Sequence, residues 1–368
     1  MRRIFWSSLI WLLSMTVAST VTPSRYPSLS DPSVVRAAVP VPPLPTVRSR
    51  HGVATVNGKV YVIGGWINGI AQTRVDVYDP ATNLWTPRAP MQIARHNQGV
   101  AVDSSGRIYA MGGYDNGVIA SAERYDPTTD SWTAVASLPE AIAAGTMTEL
   151  PGGNFLLAGG QVASGLSERA YIYSVSQNQW AQVASMAAPR FATAGALASN
   201  GRVYVVGGST PTLSNTAIVE EYDPTSNTWI SRAPMLTGRY TPSVVAEGDG
   251  LYVFGGAVPI TGAPLETSEV YDPVLNQWIS LNPMSIARSH SAIARALPGW
   301  LLSIAGEGSG GDLDSVEDYT VSTNTWGVGV PPNVTATPTA TASPTSTSTF
   351  TPTATLIPTA TFSPTLTP

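Results

Sequence analysis

The side chains in this chain best suited to chemistry are its three histidines, His51, His96 and His290, and the arginines and carboxylates that recur around them. Imidazole transfers protons near neutral pH, guanidinium holds carboxylates in a planar fork, and a poised acid or base drives proton transfer at a sugar's anomeric centre. Arg48, Arg95, Arg190, Arg239 and Arg288 each precede an acid by 28 to 30 residues: Asp76, Glu123, Glu220, Glu269 and Glu317. Arg50, Phe191 and Tyr240 lie beside these arginines. Trp66, Asn68, Tyr114, Asp115, Gln161 and Glu307 follow short glycine-rich stretches.

Several chemistries are excluded. The chain has no cysteine, so it has no disulfide, zinc thiolate or cysteine nucleophile. Charged residues are 12% of its 368 residues and the net charge is −5, which argues against a general nucleic-acid binder. No phosphate loop or G-x-S-x-G elbow occurs. The alternating acids of Gly311 to Asp318 do not make a complete set of calcium ligands, and that stretch reads as a solvated loop. No cofactor or metal is expected.

The elements that position these residues are repeats. "GKVYVIGGW" ends an apolar strand on Gly64-Gly65, and the pattern returns at Gly112-Gly113, Gly159-Gly160, Gly207-Gly208 and Gly255-Gly256. A sixth copy keeps only Gly306. The tryptophans Trp85, Trp132, Trp180, Trp229, Trp278 and Trp326 are 47, 48, 49, 49 and 48 residues apart, with a tyrosine before each: Tyr78, Tyr125, Tyr173, Tyr222, Tyr271 and Tyr319. Each unit reads as four short strands. The first pair is joined by Asn57-Gly58, Asn200-Gly201 or Asp249-Gly250, dipeptides that suit turns of positive φ. The second strand ends in the glycine pair. The third carries the tyrosine and, in four units, "YDP", a turn opener. Asn or Asp stands two residues before every tryptophan (Asn83, Asp130, Asn178, Asn227, Asn276, Asn324), where the left-handed region is expected. Six four-stranded antiparallel units predict an all-β, six-bladed propeller.

The glycine pair, the acid-x-Tyr-Asp-Pro run and the tryptophan resemble the kelch repeat over residues 46–330. That resemblance implies a six-bladed propeller with Tyr and Trp packed between blades. In some kelch propellers arginines in the register of Arg48, Arg95, Arg190, Arg239 and Arg288 capture acidic peptide motifs. The copper oxidases of this group need a tyrosine cross-linked to cysteine, which this chain lacks. Sialidase-type Ser-x-Asp boxes are absent too. Exported six-bladed kelch proteins that mutarotate sialic acid supply the enzymatic alternative, with His51, His96, His290 or Glu307 as acid or base.

In such a meander the start of strand one, the end of strand two and the start of strand three share one rim. Strands one and three lie about 9.6 Å apart, a gap that arginine and acid bridge over the side-chain-free glycines. Unit three has Ile142 and Tyr171 instead of the pair. The ring closes either with whole blades, the last strand at Trp326, or with an outer strand from Pro40 to Pro45. Proline tolerates only edge positions, which favours whole blades.

At the N-terminus, Arg2-Arg3, the apolar Ile4 to Val17 and Thr16-x-Ala18 read as a cleaved export signal over residues 1–18, followed by a linker over 19–45. The run is too short for a membrane helix. Residues 331–368 are almost entirely Thr, Pro, Ser and Ala, an extended low-complexity stalk carrying the one N-x-S/T site, Asn333. The chain therefore reads as a secreted or cell-surface monomeric propeller, a non-catalytic binding or adhesion module. Its expected partner is an extracellular protein segment or glycan, met through Arg50, His51, Trp66, His96, Tyr114, Tyr240 and His290. The arginine–acid ring is structural and potentially ligand-facing. The alternatives are the sugar isomerase in the central channel and a structural surface component.

Overall fold

The computed structural model describes residues 40–212, 217–258 and 260–327. The export segment, residues 19–39 of the linker, and the Thr/Pro stalk with Asn333 lie outside the described residues. Every regular element among those described is a strand.

Six four-stranded antiparallel sheets follow one another in chain order. The first consists of Gly52–Val56, Lys59–Ile63, Val75–Asp79 and Leu84–Arg88, paired in that order. The last consists of Ala292–Leu297, Trp300–Gly308, Gly311–Thr320 and Thr325–Trp326. The first strands face the axis. Gly52–Val56 touches both Gly99–Val102 of blade two and Ala292–Leu297 of blade six, so the ring is closed. Convergence at the axis selects small residues: a methyl group on Gly99 would lie 2.6 Å from the Met147 sulfur.

The second strands are buried on both faces, which is why they are continuous apolar runs and not alternating ones. The core consists of six clusters, each drawing on two adjacent blades. One joins Ala54, Ile63 and Met91 to Ile108, Tyr125 and Trp132, for example. Asn83, Asp130, Asn178, Asn227, Asn276 and Asn324 all adopt positive φ, between 49° and 56°. That backbone aims each Oδ1 at its tyrosine hydroxyl, 2.6 to 3.0 Å away. In blades two to six the same oxygen accepts a backbone amide from the preceding blade, and the tryptophan Nε1–H donates to a carbonyl there.

Two expectations shift. Asn57-Gly58 is a turn with both φ values positive, but in blade five the two-residue turn is Gly248-Asp249, and Gly250 opens the strand. The glycine one place earlier takes the left-handed position. The second concerns the linker, since the ring closes with whole blades, as the proline argument favours. No outer strand comes from residues 40–45; Thr325–Trp326 is the fourth strand of blade six. Yet those residues are not a free linker. Leu44 and Val41 are buried between blades one and six, Trp85 donates to the Pro42 carbonyl at 3.0 Å, and the Leu44 amide donates to Asp314. The packed domain starts at Pro40.

Candidate functional site

The rim is organised by the glycine pairs. In every blade the second glycine donates its amide to the carbonyl at the start of the next blade's first strand. Gly65 meets Arg95 at 2.9 Å and Gly113 meets Ile142 at 2.8 Å. The arginine side chains run over the glycines: Arg190 Nη1 donates to the Gly207 carbonyl at 2.7 Å and Arg239 Nη1 to that of Gly255 at 2.7 Å. Each then reaches its acid. Arg95 meets Glu123 at 2.8 Å, Arg190 meets Glu220 at 2.5 Å, Arg239 meets Glu269 at 2.6 Å and Arg288 meets Glu317 at 2.5 Å; Arg48 pairs with Asp76. The glutamates also cap backbone amides in front of the blade, as Glu269 does for Leu236 and Thr237. Asp76 is one carbon shorter and takes a second guanidinium, that of Arg74.

These five arginines are wholly buried, and burial pushes each guanidinium pKa down. Their guanidinium groups are turned to their acids and to backbone carbonyls. In blade three Ile142 and Tyr171 fill the same space within one apolar cluster, and the Tyr171 hydroxyl donates to Glu140 at 2.7 Å.

The open surface is built by the three positions between the arginine register and each first strand. Two residues after the arginine register, Arg50, Asn97, Ala144, Ala192, Thr241 and His290 all have φ between 49° and 56°. Their backbones link head to tail around the axis: Asn97 donates to Arg50, Ala144 to Asn97, Ala192 to Ala144, Thr241 to Ala192, and Arg50 to His290, at 2.7 to 2.9 Å. One position further in lie His51, Gln98, Gly145, Thr193, Pro242 and Ser291. Both rings line an axial mouth of about 180 Å³, walled also by Tyr114, Phe191 and Tyr240. A neighbouring groove of about 250 Å³ is lined by Trp66, Ile70, His96, Tyr114 and Asp115. The residues singled out in the sequence therefore split. Arg50, His51, Tyr240 and His290 belong to the mouth, Trp66 and His96 to the groove, and Tyr114 to both.

The three histidines, although close in register, sit at three different depths. His51 is 7% exposed, and burial, with the nearby Arg48 charge, lowers its pKa to about 3. His96 meets Trp66 edge-on and stacks on Tyr114, with ring centroids 4.6 and 5.2 Å away. Burial, aided by Arg50 and His290, lowers it to about 4. His290 contacts Glu307 at 3.3 Å, and Arg50 reaches the same carboxylate at 3.3 Å. The hydrogen bond from His290 is the main cause that holds Glu307 below its ordinary value. Arg50 also lies 5.8 Å from the centre of the Trp66 ring.

Sequence reasoning missed Gln98 and Thr241, because the register repeats in these rings while residue type does not. It also missed the seal at Leu44. The signal was present: "PPLPTVR" (Pro42 to Arg48) places Leu44 four residues before Arg48, as "APMQIAR" places Met91 four before Arg95.

A family model described as the kelch motif matches residues 48–92, 95–139, 190–236 and 238–285, together half of the chain. Beta-scruin of Limulus polyphemus is 32% identical over 196 residues, 48% of this chain and 21% of that protein. Kelch-like protein 25 of Xenopus tropicalis is 30% identical over 195 residues, 50% of this chain and 32% of that protein. The matched region is thus a fifth to a third of those relatives' length. A solved structure of YjhT superposes with a TM-score of 0.66 at 18% identity, covering 78% of this chain and 98% of that one, a likeness of fold.

Proposed function

The chain belongs to the kelch-motif family, whose propellers are a protein-binding kind of scaffold, and on that premise we propose that it is a non-catalytic module gripping an extended segment of a partner protein across the glycine-pair rim. One observation carries the reading. Large apolar side chains stand exposed on this face: Ile70 at 66% beside the groove, Leu236 at 60% and Ile260 at 88%, with Ile93 and Ile286 in linkers at the same rim. Exposed apolar groups on a polar rim are the kind of surface that protein interaction sites use. Glycans offer less for isoleucine and leucine to bury.

The sugar-isomerase alternative has less support. The mouth is smaller than the roughly 300–1,000 Å³ typical of small-molecule sites. His51 and His96, with pKa values near 3 and 4, are poor proton donors at neutral pH, and Glu307 is engaged by Arg50 and His290. The basic, apolar N-terminus and the Thr/Pro-rich C-terminus support an exported protein whose propeller meets its partner outside the cytoplasm.

The test uses the full chain, immobilised, with proteins of the extracellular fraction as prey. Ile70→Asp combined with Leu236→Asp should abolish specific retention without changing the melting temperature. Val274→Asp with Leu275→Asp, on the opposite face, should leave retention intact. Retention that survives the first pair and fails with the second would overturn the reading. Retention by a neutral or acidic glycan column in place of protein would favour the glycan partner.

A further inference from the structure

We infer that the groove beside the mouth receives an arginine side chain of the partner segment, its guanidinium laid on the aromatic wall of Trp66, His96 and Tyr114 and its charge set against Asp115. The inference rests on the rim-binding reading and adds the residue that the rim selects.

Two loops make the groove. In blade one Trp66–Ile67 and Ile70–Ala71 pair as a short hairpin, and in blade two Tyr114 bridges to Val118. His96 joins them: its backbone bridges to Tyr114 and its ring contacts both Trp66 and Tyr114, so the three rings form one continuous wall. All three are partly exposed, which leaves ring surface open to an occupant. Ile70, 66% exposed, adds apolar surface on which the methylene stem of a long side chain can lie. The groove holds about 250 Å³, below the roughly 300–1,000 Å³ of small-molecule sites and enough for one such side chain.

The charge of the groove selects the occupant. Among the residues lining it Asp115 is the one ionised at neutral pH, because His96 is held neutral there. Asp115 is partly exposed; its Oδ1 accepts from the exposed Asn116 amide at 3.1 Å, and it forms no ion pair among the described residues. The cations near it are committed elsewhere. Arg95, whose charge Asp115 feels, is buried with Nη2 on Glu123 at 2.8 Å, and Arg50 is held by Glu307 at 3.3 Å. A carboxylate without an ion pair beside aromatic surface suits a cation, and Arg50, 5.8 Å from the centre of the Trp66 ring, shows that this ring already takes a guanidinium. An exposed ion pair alone is worth little, so the aromatic wall must contribute. Arginine meets both demands: its planar, weakly hydrated group stacks on rings and forks to a carboxylate, whereas the lysine ammonium is a strongly hydrated point charge. An acidic residue would face Asp115 with no cation left to receive it. The net charge of −5 also favours encounter with a basic segment.

Random heptapeptides displayed on phage and selected against the full chain test this. Rim-dependent binders, defined by loss with Ile70→Ser and Leu236→Ser, neutral changes that leave the charge of the groove as it is, should converge on Arg at one position with apolar flanks. A synthetic peptide with citrulline there, of the same shape without the charge, should bind about tenfold or more weakly. Lysine should fall between the two. Asp115→Asn should erase the difference between arginine and citrulline with unchanged thermal stability, and Trp66→Leu should narrow that between arginine and lysine. Rim-dependent binders without arginine, lysine equal to arginine in the unmodified chain, or an arginine preference that survives Asp115→Asn would each overturn the inference and leave the rim-binding reading standing. No rim-dependent peptide at all would overturn both.

Discussion

The Gly306 amide donates to the Arg48 carbonyl at 3.0 Å, the same bond that joins every other neighbouring pair of blades. The seam between the chain's two ends is therefore an ordinary blade junction. It lacks only the chain link that elsewhere joins a fourth strand to the next blade's first strand, and Pro40 to Thr46 follow the path of that link. Leu44 occupies the place that Met91, Met186, Met235 and Met284 hold elsewhere, all at most 4% exposed. Leu44→Ala should thus destabilise the propeller as much as Met235→Ala in mid-ring, by about 2–5 kcal/mol. Urea denaturation of the two variants checks this; a near-neutral Leu44→Ala would show that the segment is only draped over the ring.

The two glycines of each pair have different constraints. The first has φ near 60°, reached by Ala305 in blade six at 50°; the second has φ from 90° to 107° in all six blades. The left-handed region is strained but accessible to alanine, whereas the second conformation is one L-residues rarely adopt. A methyl group would meet neighbouring backbone at either position, 2.7 Å from the Phe191 carbonyl at Gly208 and 2.5 Å from the Arg239 carbonyl at Gly207, so the order rests on φ. Gly208→Ala should therefore cost more stability than Gly207→Ala, and chemical denaturation of the pair would expose a reversed order.

The buried Arg95–Glu123 pair should be fragile when halved and replaceable as a whole. Arg95→Ile alone leaves a buried carboxylate without its cation and should cost about 3–5 kcal/mol. Blade three shows the apolar solution, Ile142 against Tyr171, so adding Glu123→Phe should recover part of that loss. Phenylalanine is preferred because position 93 is isoleucine and lacks the Glu140 carboxylate that receives the Tyr171 hydroxyl. A double-variant cycle showing simple additivity would refute the coupling.

The architecture was legible because its causes repeat. Glycine pairs, left-handed Asn or Asp, tyrosine and tryptophan each do one local job six times, and the joint absence of arginine and acid in blade three pointed to their pairing across the glycines. The seal at Leu44 was legible in principle, but proline-rich composition masked its register. The mouth was not. Its rings place Arg, Asn, Ala, Ala, Thr and His at one backbone position, because the backbone bonds that build the ring need only the conformation and leave the side chains free to differ. Sequence periodicity finds what repeats, and the mouth is lined where the repeat is broken.

Acid should loosen the ring through its histidines. His51 and His96 stay neutral in the folded state down to about pH 3 and 4, against 6.5 when unfolded. Between those limits the unfolded chain binds the more protons, so stability is complete above about pH 6.5 and falls as the pH drops towards 4 and below. Each pH step contributes at most about 1.4 kcal/mol per group, and His51, with Arg48 beside it and almost no exposure, is the larger contributor. Glu307, held below its ordinary value, adds to the loss only at the acid end of this range. His51→Leu should flatten the dependence of the denaturation midpoint on pH between 6.5 and 4, and His96→Leu should do so less, because the groove leaves that ring partly in solvent. A wild-type midpoint that does not move across this interval would mean that both rings accept protons without opening the mouth.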